Sequence, residues 1–395
     1  MNKQNYSFDE VIDRSGTQSA KWETFNKEII PLWVADMDFK SPEPIINAII
    51  DRVKHGIFGY SNYHPAYYTA VLGWFKRHYG WELNKEWLSF TPGVIPAINV
   101  SLLAFSNPGD KIIVQNPVYY PFFGAIENNG RKILFNSLKL SNGHYTMDFE
   151  DLKQKIKDPR VKMLILCNPH NPIGRVWTKD ELIQLGEICI ENKIIILSDE
   201  IHCDLIYPGY NHTNFASIRK EFALNSITCT SLSKTFNLAG LQLSNIIIPN
   251  KKLRDRFRNT IESLFIPEEF GYLPNTLSLV AYTAAYRDCD SWLTSLIQYL
   301  KENLEFLEEF LKDNIPQIKV IKPEGTFLVW LDFSALGIAN EGLEDFLLEN
   351  AKVALDDGAK FGKGGEGFQR INIACPRSTL EEALTRIHKA LKELK

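Results

Sequence analysis

The 395-residue chain has no Cys-x-x-Cys pair, no long uninterrupted apolar run, no low-complexity linker and no large excess of either charge. Each absence removes a class of protein. Cys167, Cys189, Cys203, Cys229, Cys289 and Cys375 lie far apart, so neither a disulfide framework nor a cysteine zinc site is expected. They read as small buried hydrophobes. A formal net charge of -4 at pH 7 gives no electrostatic basis for binding nucleic acid or an anionic membrane. Small, roughly neutral partners are expected instead. No apolar stretch approaches membrane-spanning length, and the opening MNKQNYSFDEVIDRSGTQSAKWE lacks an apolar core of the signal-peptide kind, so a cytoplasmic setting is expected.

What is present is an ordinary globular composition, 45% hydrophobic and 23% charged, in a chain long enough for about two domains. The middle alternates. KIIVQ (111–115), RKILFN (131–136), VKMLILC (161–167), KIIILS (193–198), SITCTS (226–231) and SNIIIP (244–249) are short β-branched runs separated by helical patterns such as TKDELIQLGEICIENK. Apolar runs with helices between them predict an α/β domain with a mostly parallel sheet covered on both faces. Beyond about residue 287 come a long amphipathic helix, the strands TFLVWLDF and QRINIAC, and a final helix from Ser378. We expect a large domain over 46–286, and a smaller α+β domain built from 287–395 with the N-terminal arm 1–45.

Ligands of open α/β sheets sit outside the carboxyl ends of the strands. Three predicted strands end there on polar residues: VKMLILC runs into NPHNPIG, KIIILS into DEIHCD, and SITCTS into LSKTFN. An amide (Asn171), a carboxylate (Asp199) and an amine (Lys234) are thereby offered to one crevice. Taken singly, each also reads as ordinary structure: a Pro-rich turn, a helix N-cap, a solvated loop lysine. Upstream, TPGVIPAI starts an apolar helix at a glycine, where the N–H groups of Gly93, Val94 and Ile95 suit a phosphate; plain capping explains the same pattern. The Ser231 and Ser233 hydroxyls flank Lys234 and suit that phosphate too. An amine, an acid and a phosphate cradle together point to pyridoxal 5'-phosphate, which needs all three.

NPHNPIG, SDEIHCD, SLSKTFNLAG and FQRINIACPR together resemble the fold type I, class I/II aminotransferase superfamily over nearly the whole chain. PLWVADMDF, TPGVIPAI, NPVYYPF and SKTFNLAGLQ are similar, more narrowly, to its cystathionine β-lyase or cysteine-S-conjugate C–S lyase branch. The resemblance implies that Lys234 is the Schiff-base lysine, that Asp199 partners the pyridine nitrogen, and that Asn171 bonds the phenolic oxygen. His202, where the wider superfamily usually has tyrosine, supplies that hydrogen bond or supports Asp199. By the same resemblance Tyr119 is expected to stack on the cofactor ring, Tyr120 to face substrate, and Arg370 to grip the α-carboxylate with its planar fork of donors. Both tyrosines also suit a packed aromatic turn, and His202 also suits a satisfied histidine at a helix start. Trp33 is expected in the N-terminal segment that closes over substrate. Tyr60 is expected to reach the phosphate of a neighbouring subunit, so the resemblance implies a homodimer with shared active sites. One departure is Gln242, which stands where superfamily aminotransferases usually carry an arginine for the phosphate.

The implied activity is β-elimination from L-cystathionine or another cysteine S-conjugate, giving thiol, pyruvate and ammonia, with Lys234 and Tyr120 as the catalytic pair. Transamination on the same apparatus is the alternative, and a regulatory or binding role for the same fold is another. GKGGEG (362–367) lacks the lysine–hydroxyl ending of a nucleotide-binding loop and reads as a flexible lead into the strand of Arg370.

Overall fold

The computed structural model describes residues 6–264 and 274–394. Seven strands build the main sheet: β1 (Leu88–Thr91), β2 (Lys111–Val114), β3 (Lys132–Phe135), β4 (Val161–Cys167), β5 (Ile195–Asp199), β6 (Ser226–Thr230) and β7 (Ser244–Ile247). Their spatial order is β1-β7-β6-β5-β4-β2-β3. Only β7 runs antiparallel to its neighbours β6 and β1; the β2–β3, β2–β4, β4–β5 and β5–β6 pairs are parallel. The apolar runs become these strands because both sheet faces are covered. Ile112, Val114, Met163 and Ile165 pack against one helical layer, while Ile113, Leu164, Leu166 and Ile196 enter the core on the other face. The sixth strand expected from the apolar runs is joined by β1, whose LSFT is too short and polar to announce itself, but whose four residues are all buried.

Helix boundaries follow local chemistry. Thr178 and Glu181 form a reciprocal capping box that starts the helix Lys179–Glu191. Gly56 and Gly80 adopt left-handed backbone after Glu43–His55 and Pro65–Tyr79, closing both.

A second, antiparallel sheet carries β8 (Lys319–Ile321), β9 (Leu328–Asp332), β10 (Asp356–Asp357) and β11 (Phe368–Asn372), in the order β8-β9-β11-β10. The long helix Asp290–Asn314 and the final helix Arg377–Glu393 contribute Leu296, Leu300, Leu304, Leu380, Leu384 and Ile387 to the core beside it. Between the first part, built on the seven-stranded sheet, and this second part, the chain passes from the helix Thr276–Asp288 to the helix Asp290–Asn314 at Cys289, and one hydrophobic core cluster runs through both. The N-terminal arm is stitched to the second part. Ile30–Pro31 pairs in parallel with Val353–Ala354, the Asp38 N–H donates to the Ala374 carbonyl (2.9 Å), and the Asn372 amide donates to the carbonyls of Val34 and Asp36. From there the arm crosses to the first part, where Asn237 holds the backbone of Met37 from both sides.

The glycine-rich segment 362–367 differs from the flexible lead expected of it. A Cβ on Gly365 would lie 2.0 Å from the Gly358 carbonyl oxygen, and one on Gly358 would lie 2.1 Å from that of Gly365. Gly365 is there for close backbone packing against Gly358, while Gly362, Gly364 and Gly367 supply positive φ (94°, 90° and 80°), and Asn116 adds a hydrogen bond to the Lys363 carbonyl (2.7 Å).

Candidate active site

The ends of β4, β5 and β6 converge on a cavity of about 210 Å³. Its lining includes Asn171, Asp199, His202, Ser231, Ser233 and Lys234, together with Gly93, Val94, Ile95 and Tyr119 from the elements above them. Parallel strands placed side by side explain why residues far apart in sequence meet here. In the register, Cys167 faces Asp199, and Asp199 faces Cys229. Lys234 follows β6 on the short helix Leu232–Thr235, started by Ser231 capping the Ser233 N–H (3.1 Å) and fixed at its far end by Thr235 donating to Asp204 (2.7 Å).

Removal from water dominates the electrostatics of this cavity. Asp199 accepts one hydrogen bond from the Ile201 N–H (3.1 Å), and burial pushes its carboxyl up to about 7. Burial, then the charge of Arg370, lowers the Lys234 amine to about 8. Its Nζ donates to the Ala35 carbonyl at 2.7 Å. Burial, Lys234 and Arg370 hold His202 neutral, far below its ordinary range, and its Nδ1 is buried without a hydrogen-bond partner. An unpartnered buried ring nitrogen in a cavity wall is costly unless something bonds to it there.

Arg370 stands beside the cavity on β11. Its Nη1 donates to the Asn171 side-chain oxygen (3.0 Å), and its Nη2 donates to the Trp33 carbonyl (2.8 Å) and to Asp356 (2.5 Å). The Phe361 ring lies 5.0 Å from the guanidinium carbon. Asn171 is held in turn through its carbonyl, which accepts the Tyr119 N–H (3.1 Å).

Other expected residues are placed differently. Ser231 lines the cavity but directs its hydroxyl proton to the Leu243 carbonyl (2.7 Å), so its geometry serves the cap and the chain turn. Tyr120 is half-buried against Phe361, its ring centre 5.7 Å from that of Tyr119, and is not part of the inner lining. Trp33 meets Arg370 through its backbone carbonyl, while its ring packs edge-on against Phe25. Tyr60 is 84% exposed in a surface depression with Phe58, Pro274 and Leu277, away from this chain's own cavity. Ala35, Asp356 and Asn237 were missed. A backbone carbonyl leaves no mark in a sequence, and Asp356 belongs to no motif there; Asn237 stands inside SLSKTFNLAG without a role.

A crossover α/β sheet with a desolvated lysine, a buried acid and a helix start around one cavity defines a protein of the lysine-anchored cofactor class. The aminotransferase class I and II family model matches residues 27–387, and the chain belongs to that family. It is 45% identical to the cystathionine beta-lyase PatB of Bacillus subtilis, over 98% of this chain and all of that one. It is 31% identical to the protein MalY of Escherichia coli, over 99% and 100% respectively. Among solved structures, cystalysin from Treponema denticola, which contains pyridoxal 5'-phosphate, superposes with a TM-score of 0.95 at 40% identity, covering 99% of this chain and all of that one. The pyridoxal-phosphate-bound C–S lyase of Staphylococcus hominis gives 0.91 at 37%, over 98% of both chains.

Proposed function

We propose that this protein is a pyridoxal 5'-phosphate-dependent carbon–sulfur β-lyase that cleaves L-cystathionine or other cysteine S-conjugates to thiol, pyruvate and ammonia. The observation that carries the reading is Lys234, a desolvated amine facing the buried Asp199 across one cavity. The residues fit the cofactor. The unpartnered His202 Nδ1 and the nearby Asn171 amide suit its phenolic oxygen, Asp199 suits its ring N–H, and the start of the helix Val94–Phe105 suits its phosphate. When bound, it supplies an aldehyde for a covalent link to amines and a ring that withdraws electrons from the substrate Cα.

Arg370 binds the α-carboxylate and fixes the angle at which the Cα–H and Cβ–S bonds stand. Lys234, with its affinity for protons lowered to about 8, is sufficiently neutral near physiological pH to take the Cα proton. The Ala35 carbonyl 2.7 Å away aims the amine by accepting one of its N–H bonds. Loss of that proton and breaking of the Cβ–S bond send the electron pair onto sulfur, and in this reading the Tyr120 hydroxyl returns a proton to it. Water then completes release of pyruvate and ammonia. The exposed Tyr60 completes the phosphate cradle of a second copy of this chain, making the working unit a homodimer with shared sites.

Borohydride reduction of the cofactor-loaded protein should fix the cofactor to the peptide bearing Lys234 and to no other lysine. L-cystathionine should release thiol and pyruvate faster than any common amino acid transfers its nitrogen to a 2-oxo acid. The reverse order would remove the lyase assignment and leave the cofactor.

A further inference from the structure

Arg370 is paired inside the protein with an anion that the activity does not explain. Asp356 lies on β10 directly opposite Arg370 on β11, so the register of an antiparallel pair places both side chains on one face. Asp356 is 1% exposed and Arg370 3%. One carboxylate oxygen, Oδ2, accepts from Arg370 Nη2 at 2.5 Å; the other, Oδ1, is buried without a hydrogen-bond partner. Its other cationic neighbour, Lys360, stands 4.0 Å from Oδ1 and is bonded at 2.8 Å to Glu344. On the arginine, both Nη2 protons have protein acceptors, Nη1 is bonded to Asn171, and Nε is buried without a partner.

A structural ion pair between these residues would be expected to use both carboxylate oxygens against two guanidinium nitrogens. The observed contact uses one oxygen, leaving Nε–H and Oδ1 both unsatisfied. The guanidinium is held in place from several sides while keeping a donor for another acceptor. An anion on Nη2 also opposes any second carboxylate brought to the same guanidinium, because two like charges a few ångströms apart in a desolvated site repel strongly.

We propose that Asp356 is a positioning residue that tunes amino-acid affinity: it fixes Arg370 and, by its charge, weakens the hold of that arginine on the substrate α-carboxylate. The inference rests on Arg370 being the carboxylate site of the proposed reaction. Its consequence is an unusual direction of effect. Removing a buried partner ordinarily weakens a site, whereas here neutralising Asp356 in an isosteric side chain strengthens it.

The test is titration of the cofactor-loaded protein with L-alanine, which has no group to eliminate, and with L-alaninamide, which has no carboxylate. Binding is followed by the cofactor's absorption and by calorimetry. Asp356→Asn should bind alanine about tenfold more tightly than the parent, with alaninamide unchanged. Asp356→Glu, which keeps the charge, should stay at the parental affinity for alanine. If Asp356→Asn does not fold, Asp356→Ser carries the same expectation. Alanine affinity that is unchanged or weaker in a folded, cofactor-loaded neutral variant overturns the proposal, as does equal tightening by alaninamide or by Asp356→Glu. A parent protein that binds neither ligand overturns the amino-acid assignment of the site, and this proposal with it.

Discussion

Two polar corners border the same cavity and are built on opposite principles. At the strand ends, Lys234, Asp199 and His202 have few protein partners, and burial shifts all three toward their neutral forms. At the arginine corner, Arg370 is held by Asn171, the Trp33 carbonyl and Asp356, with Phe361 beneath it. The first corner leaves protonation free to change; the second leaves orientation little freedom. A reaction that moves protons at one carbon while holding its carboxylate still needs both.

The contrast breaks most sharply at Lys234. Lys234→Ala should lower kcat for elimination by at least about 10³-fold, since base and anchor vanish together, while thermal unfolding shows a folded protein. Arg370→Ala should lower kcat/KM by about 10²-fold or more and, unlike Lys234→Ala, should also destabilise the fold by about 3–5 kcal/mol in denaturant titration, because Asp356 is left buried without its counter-charge. Equal stability loss in both variants would erase the distinction between the corners.

Tyr120→Phe is the next smaller effect. Elimination should slow by about tenfold, with exchange of the Cα proton into deuterated solvent little changed, which isolates sulfur protonation from proton abstraction. Equal slowing of both would place Tyr120 in substrate positioning instead.

The smallest effect is on the pH dependence of stability in cofactor-free protein. Asp199, raised from 3.8 to about 7 in the folded state, contributes stability at low pH that is lost as pH rises from about 4 to 7. Lys234, lowered from 10.5 to about 8, contributes stability at high pH that is lost as pH falls from about 10.5 to 8. The sum is least between 7 and 8, and should depress Tm there by about 2–5 °C. Asp199→Asn should flatten the acid side of that dip and Lys234→Ala the alkaline side, measured by scanning calorimetry.

Much of this was legible in the chain. The β-branched runs became strands within a residue or two, because a run apolar on every position has both faces to bury and little choice but a covered sheet. NPHNPIG, DEIHC and LSKTF disclosed Asn171, Asp199, His202 and Lys234, because a polar residue ending an apolar strand has few reasons to be there. Strand β1 stayed hidden: its four residues gain burial from neighbours rather than from their own composition.

The sequence by itself therefore determined six of the seven strands of the main sheet, its mostly parallel character and the chemical groups offered at the strand ends, since each depends on side-chain type and local periodicity. Tertiary structure alone decided what surrounds those groups. The Ala35 carbonyl at Lys234 and the Trp33 carbonyl at Arg370 come from segments far away in sequence and are backbone atoms common to every residue, while Asp356 meets Arg370 only through the pairing of two strands. The shifted proton affinities of Asp199 and Lys234 follow the same rule: they are set by exclusion of water, which belongs to the packed molecule and not to any stretch of chain.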